Sequence, residues 1–178
     1  FFAKAKAGKE VRIAYIGGSI TKAGNQYREQ SFNWIQRMFP HTPMLGINAG
    51  VSGTDADLGA CRLYEQVLKY KPDLVFVEFA VNGGYPQGME GIVRQIVKRN
   101  PETDICFIYT VNVKQFHYYQ EGNVPPGIRK LEEIADHYYI PSIHLGMEAA
   151  ELEKQGKLRA MAVDRSIPDS LPVFFTDG

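Results

Sequence analysis

The order of apolar and amphipathic runs predicts an α/β protein, a three-layer α/β/α sandwich around a parallel sheet. Three observations lead there. Short runs such as "LVFVEFAVN" and "DICFIYTV" are apolar throughout, as strands covered on both faces are. These runs alternate with helical periods, which calls for right-handed crossovers between parallel strands. The chain has 178 residues, 44% of them hydrophobic and 22% charged. That is enough for one domain with a full core and short for two. Residues 1–178 therefore read as a single domain. Five strand segments suggest a flavodoxin-like five-stranded parallel sheet in the order 2-1-3-4-5.

The elements follow in chain order. "FFAKAKAGKE" has no initiator Met and no signal-peptide pattern, and reads as an excised or processed beginning. Residues 11–16 form a buried strand ending at Gly17-Gly18. "SFNWIQRMF" places Phe32, Ile35, Met38 and Phe39 at helical spacing. Residues 44–48 make a weaker second strand. Thr54 or Asp55 can cap a helix carrying Leu58, Leu63, Val67 and Leu68. "LVFVEFAVN" is the strongest strand. "MEGIVRQIVKRN" repeats Met89, Ile92, Val93, Ile96 and Val97 with a helical period. Residues 104–111 are the fourth strand, and Ile128, Leu131, Ile134 and Ala135 mark the next helix. "IPSIHLG" is expected as the last core strand, with a helix over 147–154. Residues 114–127, "KQFHYYQEGNVPPG", read as a long aromatic loop.

Bulk properties exclude several functions. Lys+Arg and Asp+Glu are 20 each, so no net field draws the chain to nucleic acid or anionic lipid. No apolar run reaches bilayer length, so no membrane insertion is expected. Cys61 and Cys106 have no metal or disulfide spacing and are expected as buried free thiols. No cofactor and no metal is expected. Oligomeric state is not legible.

In such a sheet, ligands bind beyond the carboxyl ends of the strands. Three loops leave those ends: Gly17-Gly18-Ser19, "NAGVSG" at 48–53 and "AVNGG" at 80–84. A serine hydroxyl needs a base and oxyanion donors before it acts as a nucleophile. Ser19 at a strand-to-helix turn is a candidate nucleophile. The N–H groups of Ser19 and Gly53 and the Asn82 amide are candidate oxyanion donors. Taken alone, the glycine turn is first a structural turn, second a nucleophile's seat and third a phosphate cradle. It matches neither the P-loop, the dinucleotide fingerprint nor the G-x-S-x-G elbow. Glu78, inside a buried strand, needs a hydrogen-bonded or ionic partner. Asp55 reads as a helix cap. Tyr85, Phe116, His117, Tyr118 and Tyr119 sit on loops at the site's edge, where aromatics either stack on a sugar or pack the loop.

"YIGGSIT", "NAGVSGTD", "FVEFAVN" and "VFFTDG" together resemble the ordered blocks of the SGNH (GDSL-like) hydrolase family over the whole chain. The resemblance implies Ser19 as nucleophile, Gly53 and Asn82 as oxyanion-hole residues, and Asp177 as the aspartate of a D-x-x-H block that orients the catalytic histidine. It places that histidine at position 180. The domain then lacks its C-terminal end, and the native polypeptide is expected to continue with the histidine and a terminal helix. His41, His117, His137 and His144 read as structural or solvated, with His117 the least improbable substitute. Gly-Gly-Ser stands where the family usually has Gly-Asp-Ser, and Ala80-Val81-Asn82-Gly83 where it has Gly-x-Asn-Asp. The crossover "NGGYPQGMEG" is short, so a loop near 83–88 is a possible omission. The Gly-Gly-Ser-Ile-Thr variant resembles carbohydrate-active members. It implies a metal-free serine esterase acting on an acylated small molecule or an acetylated saccharide, secreted or periplasmic. The alternatives are a lipase-like acylhydrolase or thioesterase, and a non-catalytic carbohydrate- or phosphate-binding module on the same fold.

Overall fold

The computed structural model describes residues 1–161 and 172–175. Its elements are α1 (Phe2–Lys6), β1 (Val11–Gly17), α2 (Ser19–Lys22), α3 (Tyr27–Met38), β2 (Met44–Gly50), α4 (Ala56–Gln66), β3 (Leu74–Glu78) and α5 (Pro86–Arg99). β4 (Asp104–Tyr109), α6 (Phe116–Gln120), α7 (Pro126–Tyr138), β5 (Ser142–His144), α8 (Leu145–Lys154), β6 (Arg159–Met161) and β7 (Val173–Phe175) follow. The main sheet is five-stranded and parallel in the order β2-β1-β3-β4-β5, as the sequence predicts. The pair β6–β7 and helix α1 were not foreseen.

Alternate side chains of the central strands go to opposite faces. Ala14, Ile16, Val75, Val77, Ile105, Phe107 and Tyr109 enter the larger core, with Leu63, Met89, Ile92, Ile96, Ile128 and Leu131 from α4, α5 and α7. Ile13, Tyr15, Leu74, Phe76, Cys106 and Ile108 enter a smaller core covered by Ile35, Phe32 and Phe1. Two covered faces explain why β3 is apolar along its whole length and why the fold is three-layered.

The exceptions lie at edges and helix faces. β5 is three residues long, pairs only with β4 and leaves Ile143 exposed, so "IPSIHLG" is an edge strand and not a core strand. Residues 114–127 are not a plain loop. A 3-10 turn at Val113–Gln115, capped by Asn112, leads into α6. Phe116 and Tyr119, three apart on α6, are both buried, and their burial folds the segment as a helix. Leu58 and Val97 face solvent, while Val67 and Leu68 are buried beyond the end of α4. Cys61 is exposed on α4, correcting the expectation of two buried thiols; Cys106 is buried. Asp55 is the cap of α4, accepting from the Leu58 N–H at 2.9 Å. No helix of the described residues is long and apolar enough to cross a membrane.

Candidate active site

The carboxyl ends of β1, β2 and β3 carry the three loops. β1 runs out at Gly17, Gly18 precedes α2, and Ser19 is the first residue of that helix. Ser19 is exposed, and its hydroxyl has no partner among the described residues. Gly18 is buried, and a Cβ there would lie 2.0 Å from Asn82 Nδ2. Only glycine lets the Asn82 amide come so close to the serine turn. Asn82 Nδ2 is itself buried with no hydrogen-bond partner among the described residues. Such an orphaned donor is rare and calls for an explanation. Its loop is held by Asn82 N–H to Phe79 C=O at 3.2 Å and by Ala56 N–H to Gly83 C=O at 3.1 Å.

Gly53 has φ +74°, a conformation costly for a residue with a Cβ. It is exposed, and its N–H has no partner among the described residues. The Gly53 loop is tied to the serine turn by Val51 N–H to Gly17 C=O at 3.0 Å. The structure thus brings the Ser19 turn and Asn82 into contact and joins the Gly53 loop to the same strand end.

Beneath the turn lies Glu78, fully buried. It accepts from Thr110 Oγ1 at 2.7 Å and Thr21 Oγ1 at 2.9 Å. Burial raises its pKa, and the two hydroxyls act against that rise. Thr21 Oγ1 also meets the Tyr27 hydroxyl at 2.8 Å. Burial first, and then the Glu78 charge, pushes the Tyr27 pKa up, so Tyr27 stays a protonated donor. From α4, Arg62 donates to Gly17 C=O at 2.9 Å, Ala49 C=O at 2.5 Å, Gln66 Oε1 at 2.5 Å and Thr54 Oγ1 at 3.3 Å. Sequence reasoning missed Arg62, Thr21, Tyr27 and Thr110. A signal existed for Arg62, which falls three residues after buried Gly59 and so toward the sheet side of the helix.

His144 is hydrogen-bonded, as expected of a structural histidine. Its Nδ1 meets the Tyr119 hydroxyl at 3.0 Å, and its Nε2 lies 3.5 Å from Glu132 Oε2. His41, His117 and His137 are exposed. A cavity of about 720 Å³ opens beside Ser19, lined by Ile20, Ala23, Tyr27, Val111, His144 and Leu145 among others. Tyr85, Phe116, His117 and Tyr118 are absent from its described lining. Tyr85 is exposed, and His117 stacks against Tyr118 with ring centroids 4.2 Å apart. Phe116 is buried in the larger core, in keeping with the loop-packing alternative of the two readings its sequence allowed. Tyr119 is likewise buried. Asp177 lies outside the described residues.

An exposed serine beside orphaned N–H donors, at the carboxyl edge of a parallel sheet, is an arrangement suited to acyl transfer. The fold is shared with esterases and acylhydrolases. No family model and no curated protein matches the chain. Among solved structures, it is similar to a two-domain esterase (CEX) active on acetylated mannans, at 26% identity and a TM-score of 0.76, over 97% of this chain and 46% of that one. The chain thus spans about half the length of that esterase. An acetyl xylan esterase from Geobacillus stearothermophilus (Axe2-W215I) matches at 19% identity and a TM-score of 0.60, covering 81% of this chain and 80% of its own. A lipase/acylhydrolase from Enterococcus faecalis matches at 19% identity and a TM-score of 0.59, covering 91% and 86%. These last two likenesses show the fold alone.

Proposed function

We propose that this protein is a serine esterase of the SGNH (GDSL-like) type that removes O-acetyl groups from carbohydrates. The observation that carries the reading is Asn82 Nδ2, buried without a partner among the described residues against the turn that presents Ser19. A donor held dry and unpaired costs stability unless a substrate oxygen completes it.

Ser19 Oγ attacks the ester carbonyl carbon. The histidine that the family pattern puts at position 180 takes the Ser19 proton, and Asp177 orients that histidine. The carbonyl oxygen becomes an oxyanion held by the N–H groups of Ser19 and Gly53 and by Asn82 Nδ2. Collapse of the tetrahedral intermediate breaks the bond to the alcohol, which leaves with the proton. Water then attacks the acyl-enzyme by the same route and releases the acid. The carbohydrate part of the reading is supported by the likeness to an esterase active on acetylated mannans. A secreted or periplasmic location, where such polymers would be met, belongs to the same proposal.

One observation favours a second reading. The cavity beside Ser19 has Ile20, Ala23, Val111, Leu145, Ala149 and Leu152 in its wall, a lining suited to a longer acyl chain. That would make the protein a lipase-like acylhydrolase or thioesterase. Hydrolysis of 4-nitrophenyl acetate and octanoate by the full-length protein, together with acetate release from acetylated mannan, separates the two. Faster turnover of acetate esters, reduced at least about 10³-fold by Ser19→Ala in a folded protein, supports the acetylesterase. Faster turnover of octanoate selects the acylhydrolase. Activity indifferent to Ser19→Ala overturns both, and binding of acetylated oligosaccharide without turnover selects a non-catalytic module.

A further inference from the structure

Ser19 opens α2, a helix of four residues with no side-chain cap. A helix so short does not hold its own shape in water. Its one buried residue is Thr21. Thr21 Oγ1 donates to Glu78 Oε2 at 2.9 Å, and Thr110 Oγ1 donates to Glu78 Oε1 at 2.7 Å. Each oxygen of the carboxylate therefore takes one hydroxyl, from α2 on one side and from the end of β4 on the other. The Tyr27 hydroxyl lies 2.8 Å from Thr21 Oγ1. Thr21 has already given its single proton to Glu78, so Tyr27 is the donor of that pair. The space is built for this contact, since a Cβ on Gly17 would fall 2.0 Å from Thr21 Oγ1.

We propose that Glu78 and Thr21 are positioning residues, whose hydrogen bond fixes how α2 is turned about its axis and thereby aims Ser19. Both are fully buried, out of reach of substrate. A helix turns about 100° per residue, so residues two apart point to nearly opposite sides, about 200° around. With Thr21 turned in to Glu78, Ser19 is turned out, and it is exposed. The other side-chain bonds to α2 leave that rotation free. Arg28 Nε meets Thr21 C=O at 2.9 Å and Asn48 Nδ2 meets Lys22 C=O at 3.3 Å. Helix carbonyls lie along the axis, and a bond to them fixes where the helix ends and not how it is turned. The Val51 N–H holds the Gly17 carbonyl, ahead of the helix. Glu78 is a fixed reference because it ends β3, paired in register with Gly17. Tyr27 and Thr110 both line the cavity beside Ser19, so the same network spans that cavity's floor.

The inference rests on the esterase reading for its consequence in catalysis, and its test has one arm that does not. In the full-length protein, Thr21→Val keeps the side chain's shape without its hydroxyl, and Glu78→Leu breaks the bond from the other end. Each lowers kcat on 4-nitrophenyl acetate by about 10–100-fold, the scale of a misplaced reacting group. KM stays within about twofold, since substrate contacts are untouched. Thr21→Ser restores the hydroxyl and returns kcat to within about threefold of wild type. The double variant Thr21→Val, Glu78→Leu falls no more than about threefold below the weaker single variant, because both remove one bond. Amide hydrogen exchange is the independent arm. The Lys22 and Ala23 N–H groups bond Gly18 C=O and Ser19 C=O across α2. Their protection drops at least about tenfold in Thr21→Val and recovers in Thr21→Ser, while Val75 in β3 is unchanged. Wild-type kcat in Thr21→Val, no recovery in Thr21→Ser, losses that multiply in the double variant, or unchanged protection of α2 in Thr21→Val each overturn the proposal. If the wild type turns over no ester, the esterase reading falls, and the exchange arm alone decides whether Glu78 holds α2.

Discussion

Asn82 and Gly18 make the sharpest test at the scale of single residues. Asn82 Nδ2 has no hydrogen bond to lose among the described residues. Asn82→Ala is therefore expected to leave the melting temperature close to wild type while lowering kcat by about 10²–10³-fold, the effect of one oxyanion donor. Steady-state kinetics and thermal unfolding on the same sample check both halves. Gly18→Ala puts a methyl 2.0 Å from that amide and must displace it. Its loss of kcat is expected to approach that of Asn82→Ala, and adding Asn82→Ala should cost little more. Equal and multiplying losses would show that Gly18 matters for some other reason. Gly53 differs in kind. Its Cβ direction is open, so the strain of alanine at φ +74° and not a clash is the cost of Gly53→Ala.

Among the elements, α4 links stability to the site. Asp55 caps it, Ala56 N–H bonds Gly83 on the Asn82 loop, and Arg62 reaches the ends of β1 and β2. Removing the cap with Asp55→Ala should lower stability by about 1 kcal/mol in urea unfolding, and Asp55→Ser should recover most of it. α4 packs close to the sheet through Gly59, where a Cβ would sit 2.6 Å from the Phe79 ring. Gly59→Ala forces the helix or the ring to move and is expected to destabilise by about 1–3 kcal/mol, the range for overpacking. α6 shows how the same physics defeats a reading by eye. "FHYYQ" has no cap signal strong enough to stand out, and it is a helix because Phe116 and Tyr119 are buried on one side of it.

The molecule as a whole has two unequal cores, and its thiols report on both exposure and pH. Cys61 lies on the outer surface of α4, whereas Cys106 lies in the smaller core. Under native conditions iodoacetamide should modify Cys61 and spare Cys106, read by peptide mass spectrometry; prior labelling of Cys106 would contradict the packing of β4. Burial pushes the Cys106 thiol up from 9.0 to about 11. Burial likewise raises the Tyr15 and Tyr119 phenols from 10.0 to about 12. In each case the unfolded chain releases a proton that the folded chain still holds. Stability from these groups is complete below about pH 9 and declines as pH rises toward 12. Cys106→Ala should flatten the part of that decline between pH 9 and 11, which is at most about 2 kcal/mol.

The sequence by itself determined the sheet, its strand order and the three loops at its carboxyl edge. Apolar continuity in β1, β3 and β4 and the helical period of α5 and α7 are local patterns, and covered parallel strands leave few ways to connect them. The common end of the loops bearing Ser19, Gly53 and Asn82 was legible because strand order alone sends them there. Asp55 was legible as a cap because capping acts over three residues. Only the tertiary structure decided which atoms fill the space of the missing Cβ groups at Gly17 and Gly18. It also decided that Arg62 reaches the Gly17 carbonyl at the end of β1 and that Thr21 and Thr110 meet the buried Glu78. It set Phe116 inside and Cys61 outside. The reason is one of range. Periodicity records which face of its own element a residue occupies, whereas these contacts join different elements and depend on how far each is rotated and translated against the next.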